Sequence, residues 1–268
     1  MKRKIIMVVV SLLVFCILLI SVNQIRRFKG QVITRYYDLE IETKKVEVLG
    51  YLIKDKSAEA IAALDVILDR YKYKEDGVRN RDKKMGVRRS LARIRALKGT
   101  VYMQEAQSKM RWLKGFNLPN DDAINSANKA IKEFEVILDK CSDVPSISTA
   151  ALYQIGYIYY YILDERAEAE KIWRRLINTY PESLFSSMAK FCLGEISTEE
   201  FLKISNPLTR KEPFLTFTVV AAKMEKEGDL EKAKEYCRKA MEASRSPEYK
   251  VYYVWAAREL KRLEEGSK

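Results

Sequence analysis

The chain has 268 residues, 47% hydrophobic, with only 10 glycines and 6 prolines, so it is long enough for a sizeable core and poor in helix breakers. It contains no histidine, which excludes Ser-His-Asp and Cys-His nucleophilic chemistry, histidine-ligated metals and a histidine pH switch. The net charge of +12 is local: residues 1–30 carry six Lys or Arg and no acid, and Arg70 to Lys98 holds twelve against Glu75, Asp76 and Asp82, which argues against a polyanion-binding surface along the whole chain.

Ile5 to Val22 is a run of eighteen residues without a charge, in which only Ser11 and Ser21 are polar. As a helix rising about 1.5 Å per residue it spans roughly 27 Å, close to the hydrocarbon thickness of a bilayer. Lys2, Arg3 and Lys4 on one side, and Arg26, Arg27 and Lys29 on the other, can reach headgroups. A cleaved signal peptide has a shorter apolar core of about 7–15 residues ending in small residues, whereas this run ends in "LLISVNQ"; Phe15 before Cys16 does not suit a lipoprotein signal. Residues 1–30 are therefore expected to be an uncleaved single-pass anchor. The short basic tail argues for retention of the N-terminus and export of the bulk of the chain. Arg26, Arg27, Lys29 and Arg35 leave a cytoplasm-facing domain as the alternative.

Ala60, Leu64, Ile67 and Tyr71 follow next, spaced four, three and four, which places them on one stripe of a helix that Ser57 could cap. The basic run comes after it. Residues Lys74 to Gly86 are charged, contain two glycines and are expected to form a solvated loop. From Arg88 onward Ala92, Ala96, Gly99, Met103, Ala106, Met110 and Leu113 alternate steps of four and three, which predicts a long helix whose early turns admit a close neighbour. Arg88, Arg89, Arg93 and Arg95 then fall on its outward faces. Arg79, Arg81, Lys83, Lys84, Arg88 and Arg89 are candidate contacts for an acidic protein or for anionic lipid headgroups; the alternative is a solvated surface. Nucleic acid is disfavoured, because only Tyr71 and Tyr73 interleave with the charges.

Residues 111–128 read as an insertion, in which Trp112, Phe116 and Leu118 are apolar where a tight turn is expected. They either plug the side of the fold or serve as a partner contact. Three further stripes repeat the first: Ala130, Phe134, Ile137, Cys141; Ala169, Trp173, Leu176, Tyr180; and Ala233, Cys237, Ala240, Ser244. A tyrosine-rich helix precedes the third, with Ala151, Ile155, Ile158 and Ile162 on one line and Tyr153, Tyr157 and Tyr160 alongside. Asp164-Glu165 and Gly228-Asp229 mark breaks between helices, with Asp229 a cap, and Pro181, Pro213 and Pro247 mark helix boundaries.

The stretch "IGYIYYYILDERAEAEKIWRRLINTYP", through Gly156, Tyr160, Ala169, Trp173 and Pro181, resembles a tetratricopeptide repeat, with about one residue extra between Gly156 and Ala169. "EGDLEKAKEYCRKAMEASRSP" and "VLGYLIKDKSAEAIAALDVILDRY" match less fully, and 184–206 reads as a shortened, degenerate repeat. The resemblance implies an all-α solenoid of helical hairpins over residues 31–206, with a last repeat and capping helix in 207–268. It implies a surface for binding other proteins and no catalysis. In layout the chain resembles bacterial cell-envelope proteins of this family, including inner-membrane-anchored ones, which implies an extracytoplasmic domain and partners in membrane or envelope complexes. The first repeat has no Asn on its first helix, so a carboxylate clamp is not carried over. The tyrosines are expected to form a packing seam between helices, the alternative being a glycan or peptidoglycan platform. No cofactor, metal or catalytic residue is assigned. Four cysteines without paired spacing are expected to be small buried hydrophobes.

Overall fold

A computed structural model describes residues 47–48, 50–51, 56–77, 81–113, 116–206, 213–245 and 250–265. The apolar run 5–22, Arg79 and Pro247 lie outside these residues. Among the described residues no helix is long and apolar enough to cross a membrane.

After a short helical piece that includes Val48, the described residues form ten helices in order. They are α1 (Ser57–Gly77), α2 (Arg81–Lys109), α3 (Asp121–Lys140), α4 (Pro145–Tyr157), α5 (Arg166–Thr179), α6 (Leu184–Leu193), α7 (Thr198–Ser205), α8 (Pro213–Lys226), α9 (Leu230–Ala243) and α10 (Lys250–Glu265). Each packs against the next. Contacts between next-but-one helices run α2–α4, α4–α6 and α6–α8. These are the first helices of successive hairpins, so they form an inner row, and α1, α3, α5 and α9 lie outside it. This is the helical-hairpin solenoid that the repeated stripes imply.

The alanine-led stripes are its interior. Ala60, Leu64, Ile67 and Tyr71 on α1, Ala130, Phe134 and Ile137 on α3 with Cys141 capping it, and Ala169, Trp173 and Leu176 on α5 are each at most 2% exposed. On α9 Ala233, Cys237 and Ala240 are as deeply buried. Each alanine leaves room for a helix crossing, and the larger residue one turn later fills the space beyond it. The long helix α2 serves two cores. Val87, Ile94 and Val101, seven apart, face α1, while Ala92 and Ala106 face α3. Only the second of these lines had stood out in the sequence.

Capping delimits the helices. The Asn120 side chain accepts from Ala123 N at 2.8 Å, Ser183 from Ser186 N at 3.0 Å, Ser197 from Glu200 N at 3.1 Å and Asp229 from Lys232 N at 3.2 Å. Gly194 ends α6 at φ 79°, where a side chain would be strained. Pro213 opens α8 as expected. Ser57 is the first residue inside α1 rather than its cap, since Ala60 N bonds to the Lys56 carbonyl.

Three expectations require correction. The charged stretch 74–86 is not one loop: α1 continues to Gly77 and α2 starts at Arg81. Lys, Arg and Glu are good helix formers, and buried Val87 with half-buried Met85 anchors the first turns of α2. The insertion is shorter than 111–128, because the Asn120 cap starts α3 at Asp121. The long helix also ends at Lys109, short of Leu113: within the all-α fold, 111–113 and 116–118 pair as a small antiparallel hairpin, β1 with β2, Leu113 opposite Phe116 and Trp112 opposite Asn117. Leu113, expected at the end of the long helix, is in β1.

The extra residue between Gly156 and Ala169 also has a structural counterpart. From Ile158 to Ile162 the end of α4 widens into a π-helical turn, with Leu163 N bonding to Ile158 O at 3.0 Å. Such a turn accommodates one inserted residue without breaking the helix. It keeps Gly156 facing Trp173, where a Cβ on residue 156 would lie 2.2 Å from the indole nitrogen. The equivalent pair one hairpin earlier is Gly99 on α2 and Phe134 on α3, where an added Cβ would lie 2.8 Å from the ring. Gly156→Ala is therefore expected to lower stability by about 1–3 kcal/mol through overpacking, although alanine is the better helix former. The denaturant midpoint checks it, and an unchanged or raised midpoint would show that the indole can move aside.

Candidate functional site

The tyrosine-rich end of α4 is built around Trp173. Its indole nitrogen donates to the Tyr153 carbonyl at 3.2 Å, the Tyr153 ring stacks against it at 6.2 Å and Tyr160 lies 5.3 Å away. Tyr157 and Tyr161 pack together at 4.5 Å. The rings are thus spent on helix packing, as expected of a seam. The hydroxyls are not all at its rim: that of Tyr153 is buried and makes no well-formed hydrogen bond, with the Cys192 sulfur as its polar neighbour. The Tyr161 hydroxyl donates to the Cys192 sulfur at 3.6 Å. Burial pushes the Cys192 thiol up to about 11 and that of Cys237 up to about 12, so both are protonated at neutral pH and do not act as nucleophiles. Cys141, Cys192 and Cys237 are all buried thiols, as expected of small buried hydrophobes.

The inner row gathers a second polar group. Gln107 of α2 donates to the Tyr157 hydroxyl at 3.3 Å. Burial, and after it the carboxylates of Glu259 and Glu225, hold that phenol well above its ordinary value. Arg262 of α10 grips Glu225 of α8 with two nitrogens, at 2.8 and 2.6 Å, and also bonds Glu259 at 2.6 Å. Burial raises the Glu259 carboxyl above its usual range, against the lowering effect of Arg262. One guanidinium thus holds two carboxylates and fastens the last helix to the last hairpin. Lys223, also buried, donates to the Phe191 carbonyl at 2.6 Å near the C-terminal end of α6, where the helix dipole favours a cation.

On the outer side a cleft of about 400 Å³ opens between α1 and α3 over α2. Leu68, Leu91, Val136 and Ile137 line it together with Asp65, Asp69, Arg88, Arg95, Lys98 and Lys140. Lys98 reaches Asp65 at 2.6 Å and Glu133 at 3.0 Å, and Arg95 reaches Glu133 at 2.7 Å. This three-helix network ties α1, α2 and α3 along one edge.

Of the residues singled out in the sequence, those with described side chains are Lys84, Arg88 and Arg89, all on α2. Arg81 and Lys83 lie in the first turn of α2, whose side chains are not among those described; Lys84 and Arg88 are half-buried and Arg89 is exposed. At 100° per residue Arg88 and Arg95 fall on the cleft side, while Arg89 and Arg93 fall on a different face. Trp112 lies in β1 and Phe116 in β2, and Arg79 is outside the described residues. The acid partners Asp65 and Glu133 escaped the sequence reading because they are 33 and 35 residues from Lys98 on other helices. In the chain they are only the neighbours of the buried Leu64 and Phe134, which points to no partner.

Residues 150–183, which span the α4/α5 hairpin, match the tetratricopeptide repeat family model. This part of the chain is a tetratricopeptide repeat, and repeats of this kind are typically non-catalytic protein-interaction modules. No curated protein matches the chain.

Two substitutions test this chemistry. Tyr153→Phe removes a buried hydroxyl that makes no well-formed hydrogen bond and is expected to change stability by less than about 1 kcal/mol; a clear loss in a chemical denaturation series would reveal a bond from that oxygen to the Cys192 sulfur. Arg262→Met leaves Glu225 and Glu259 facing each other. It is expected to cost about 1–3 kcal/mol at neutral pH, less than a fully buried pair because all three side chains keep some solvent contact. The raised folded-state value of Glu259 means that the fold takes up a proton more readily than the unfolded chain, so its unfavourable contribution appears as pH rises above the ordinary carboxylate range. The Arg262→Met loss should therefore shrink toward about pH 5, as read from denaturation midpoints across pH.

Proposed function

We propose that this tetratricopeptide-repeat chain is a membrane-anchored scaffold that binds protein partners at the cell envelope without catalysis. The division is an anchor in 1–30, repeats in 31–206, and a last repeat with capping helix in 207–268. The observation that carries it is one chain holding both the uncharged run Ile5 to Val22 and a tetratricopeptide hairpin inside a longer helical stack. The stack displays an inner row and an outer row of helices to partners, and the anchor confines it to the membrane surface, which raises the local concentration of any membrane-bound partner.

The basic stretch supports a bilayer-facing role at the anchor-proximal end. Each Lys or Arg near an anionic surface contributes about 1 kcal/mol, so Lys84, Arg89 and the neighbouring charges Arg79, Arg81 and Lys83 would draw the first repeats toward headgroups or toward an acidic partner beside them. An extracytoplasmic domain on a bacterial inner membrane is the orientation this reading adopts, following the short basic tail before Ile5.

Deletion of residues 1–30 is expected to move the protein from the detergent phase to the aqueous phase with its helical content intact. Retention of the full-length chain in the aqueous phase overturns the anchor. Reporter domains active on only one side of the membrane, fused after Lys268, decide the orientation. Crosslinking in intact membranes, followed by pull-down, should recover partners with the wild type and lose part of them when Arg79 to Arg89 are charge-reversed; equal recovery would assign those charges to solvation alone.

A further inference from the structure

The cleft between α1 and α3 lies on the outer side of the stack, away from the inner row. We propose that it is a separate docking site for a partner-protein segment that presents an aliphatic side chain beside a carboxylate. This inference does not rest on the anchor or on the orientation of the domain.

The shape comes from the curvature. First helices pack more closely on their next-but-one neighbours than α1 does on α3, so the outer row splays and exposes the face of α2 between them. The opening, about 400 Å³, is of the size that takes a few side chains. Its base is apolar, formed by Leu91 of α2 with Val136 and Ile137 of α3. Leaving such a concave apolar base open to water is unfavourable, and an aliphatic side chain would remove it from solvent at roughly 25 cal/mol per Å².

The rim sets the polar requirement. At one end Lys98 and Arg95 are already neutralised by Asp65 and Glu133. At the other end the Cys141 sulfur meets the Arg88 carbonyl at 3.7 Å, which brings the last turn of α3 against Arg88. Lys140, beside Cys141, is exposed and carries no ion pair among the described residues, so it is available to a carboxylate. Asp69 on the α1 wall is likewise exposed and unpaired among the described residues, and is available to an N–H donor. An extended polypeptide supplies both, a carboxylate from a side chain and N–H groups from its backbone. A phosphate supplies only acceptors and would face Asp65 and Asp69 at close range, which disfavours it.

The test uses full-length protein in detergent micelles and three fluorescein-labelled, end-blocked peptides, of alternating Leu and Glu, Leu and Gln, and Leu and Lys. Saturable polarisation with the Leu/Glu peptide is expected, with weaker binding of Leu/Gln and still weaker binding of Leu/Lys. Lys140→Glu, on an exposed side chain, and Val136→Trp, which fills the opening, should each weaken the Leu/Glu peptide by about tenfold or more. Val66→Trp, on the solvent side of α1 at 59% exposure, should leave it unchanged. Circular dichroism on each variant confirms that the helices are retained, and if Val136→Trp fails to fold, Lys140→Glu alone decides. Equal binding of all three peptides, no saturable binding, or indifference to Lys140→Glu overturns the proposal. So does binding of anionic-lipid vesicles by the chain lacking residues 1–30 that Lys140→Glu abolishes while the Leu/Glu peptide stays unbound, which would assign the cleft to headgroups.

Discussion

The stack depends on how closely the two helices of a hairpin approach. In the α4/α5 hairpin the indole of Trp173 occupies the space where residue 156 has no Cβ, and in the α2/α3 hairpin Phe134 does the same over Gly99. Both rings are essentially excluded from water, and losing such a ring costs about 3–5 kcal/mol. That gain outweighs the roughly 1 kcal/mol that a glycine costs inside a helix. The same small-to-large contact fixes the crossing distance in these two hairpins, and the crossing distance decides how the next one docks. The π-helical turn at Ile158–Ile162 belongs to the same constraint, because it absorbs an additional residue in α4 without turning Gly156 away from its ring.

Polar groups are arranged around that constraint and do not compete with it. Lys223 neutralises the carbonyl end of the short helix α6, and Arg262 binds two acids to join α8 with α10. These charged hydrogen bonds lie near the C-terminal ends of α6, α8 and α10. The Asp65–Lys98–Glu133 network does the equivalent for α1, α2 and α3. Breaking such a network leaves a half-buried charge without its counterpart, so it specifies which helices meet more than it adds net stability.

The same arrangement separates two surfaces. The inner row is filled by tyrosine rings and the Gln107–Tyr157 and Arg262–Glu225 contacts. The outer row, opened by curvature, keeps the apolar base at Leu91 and Val136 with separated charges at its rim. A platform of tyrosines for sugar rings would need open faces, and Tyr153 and Tyr160 have theirs against Trp173. Proteins of this architecture act through surfaces, so the location of each unoccupied one matters more than any single reactive group.

The sequence by itself determined the helices and their buried faces, because a step of four and three is a property of one helix and needs no neighbour to be read: Ala130 with Phe134 and Ala169 with Trp173 are visible as stripes. It also showed the additional residue after Gly156, the breaks at Asp164 and Gly228, and the absence of histidine chemistry. It misjudged 74–86 and 111–128, where charge and composition do not reveal that Met85 and Val87 anchor a helix or that Asn120 caps one. Only the tertiary structure decided that Arg88 and Arg89 belong to different surfaces, that Lys98 finds Asp65 and Glu133, and that a cleft opens between α1 and α3. Those outcomes depend on distances between helices, which are set by packing across separations of tens of residues and leave no periodic trace in the chain.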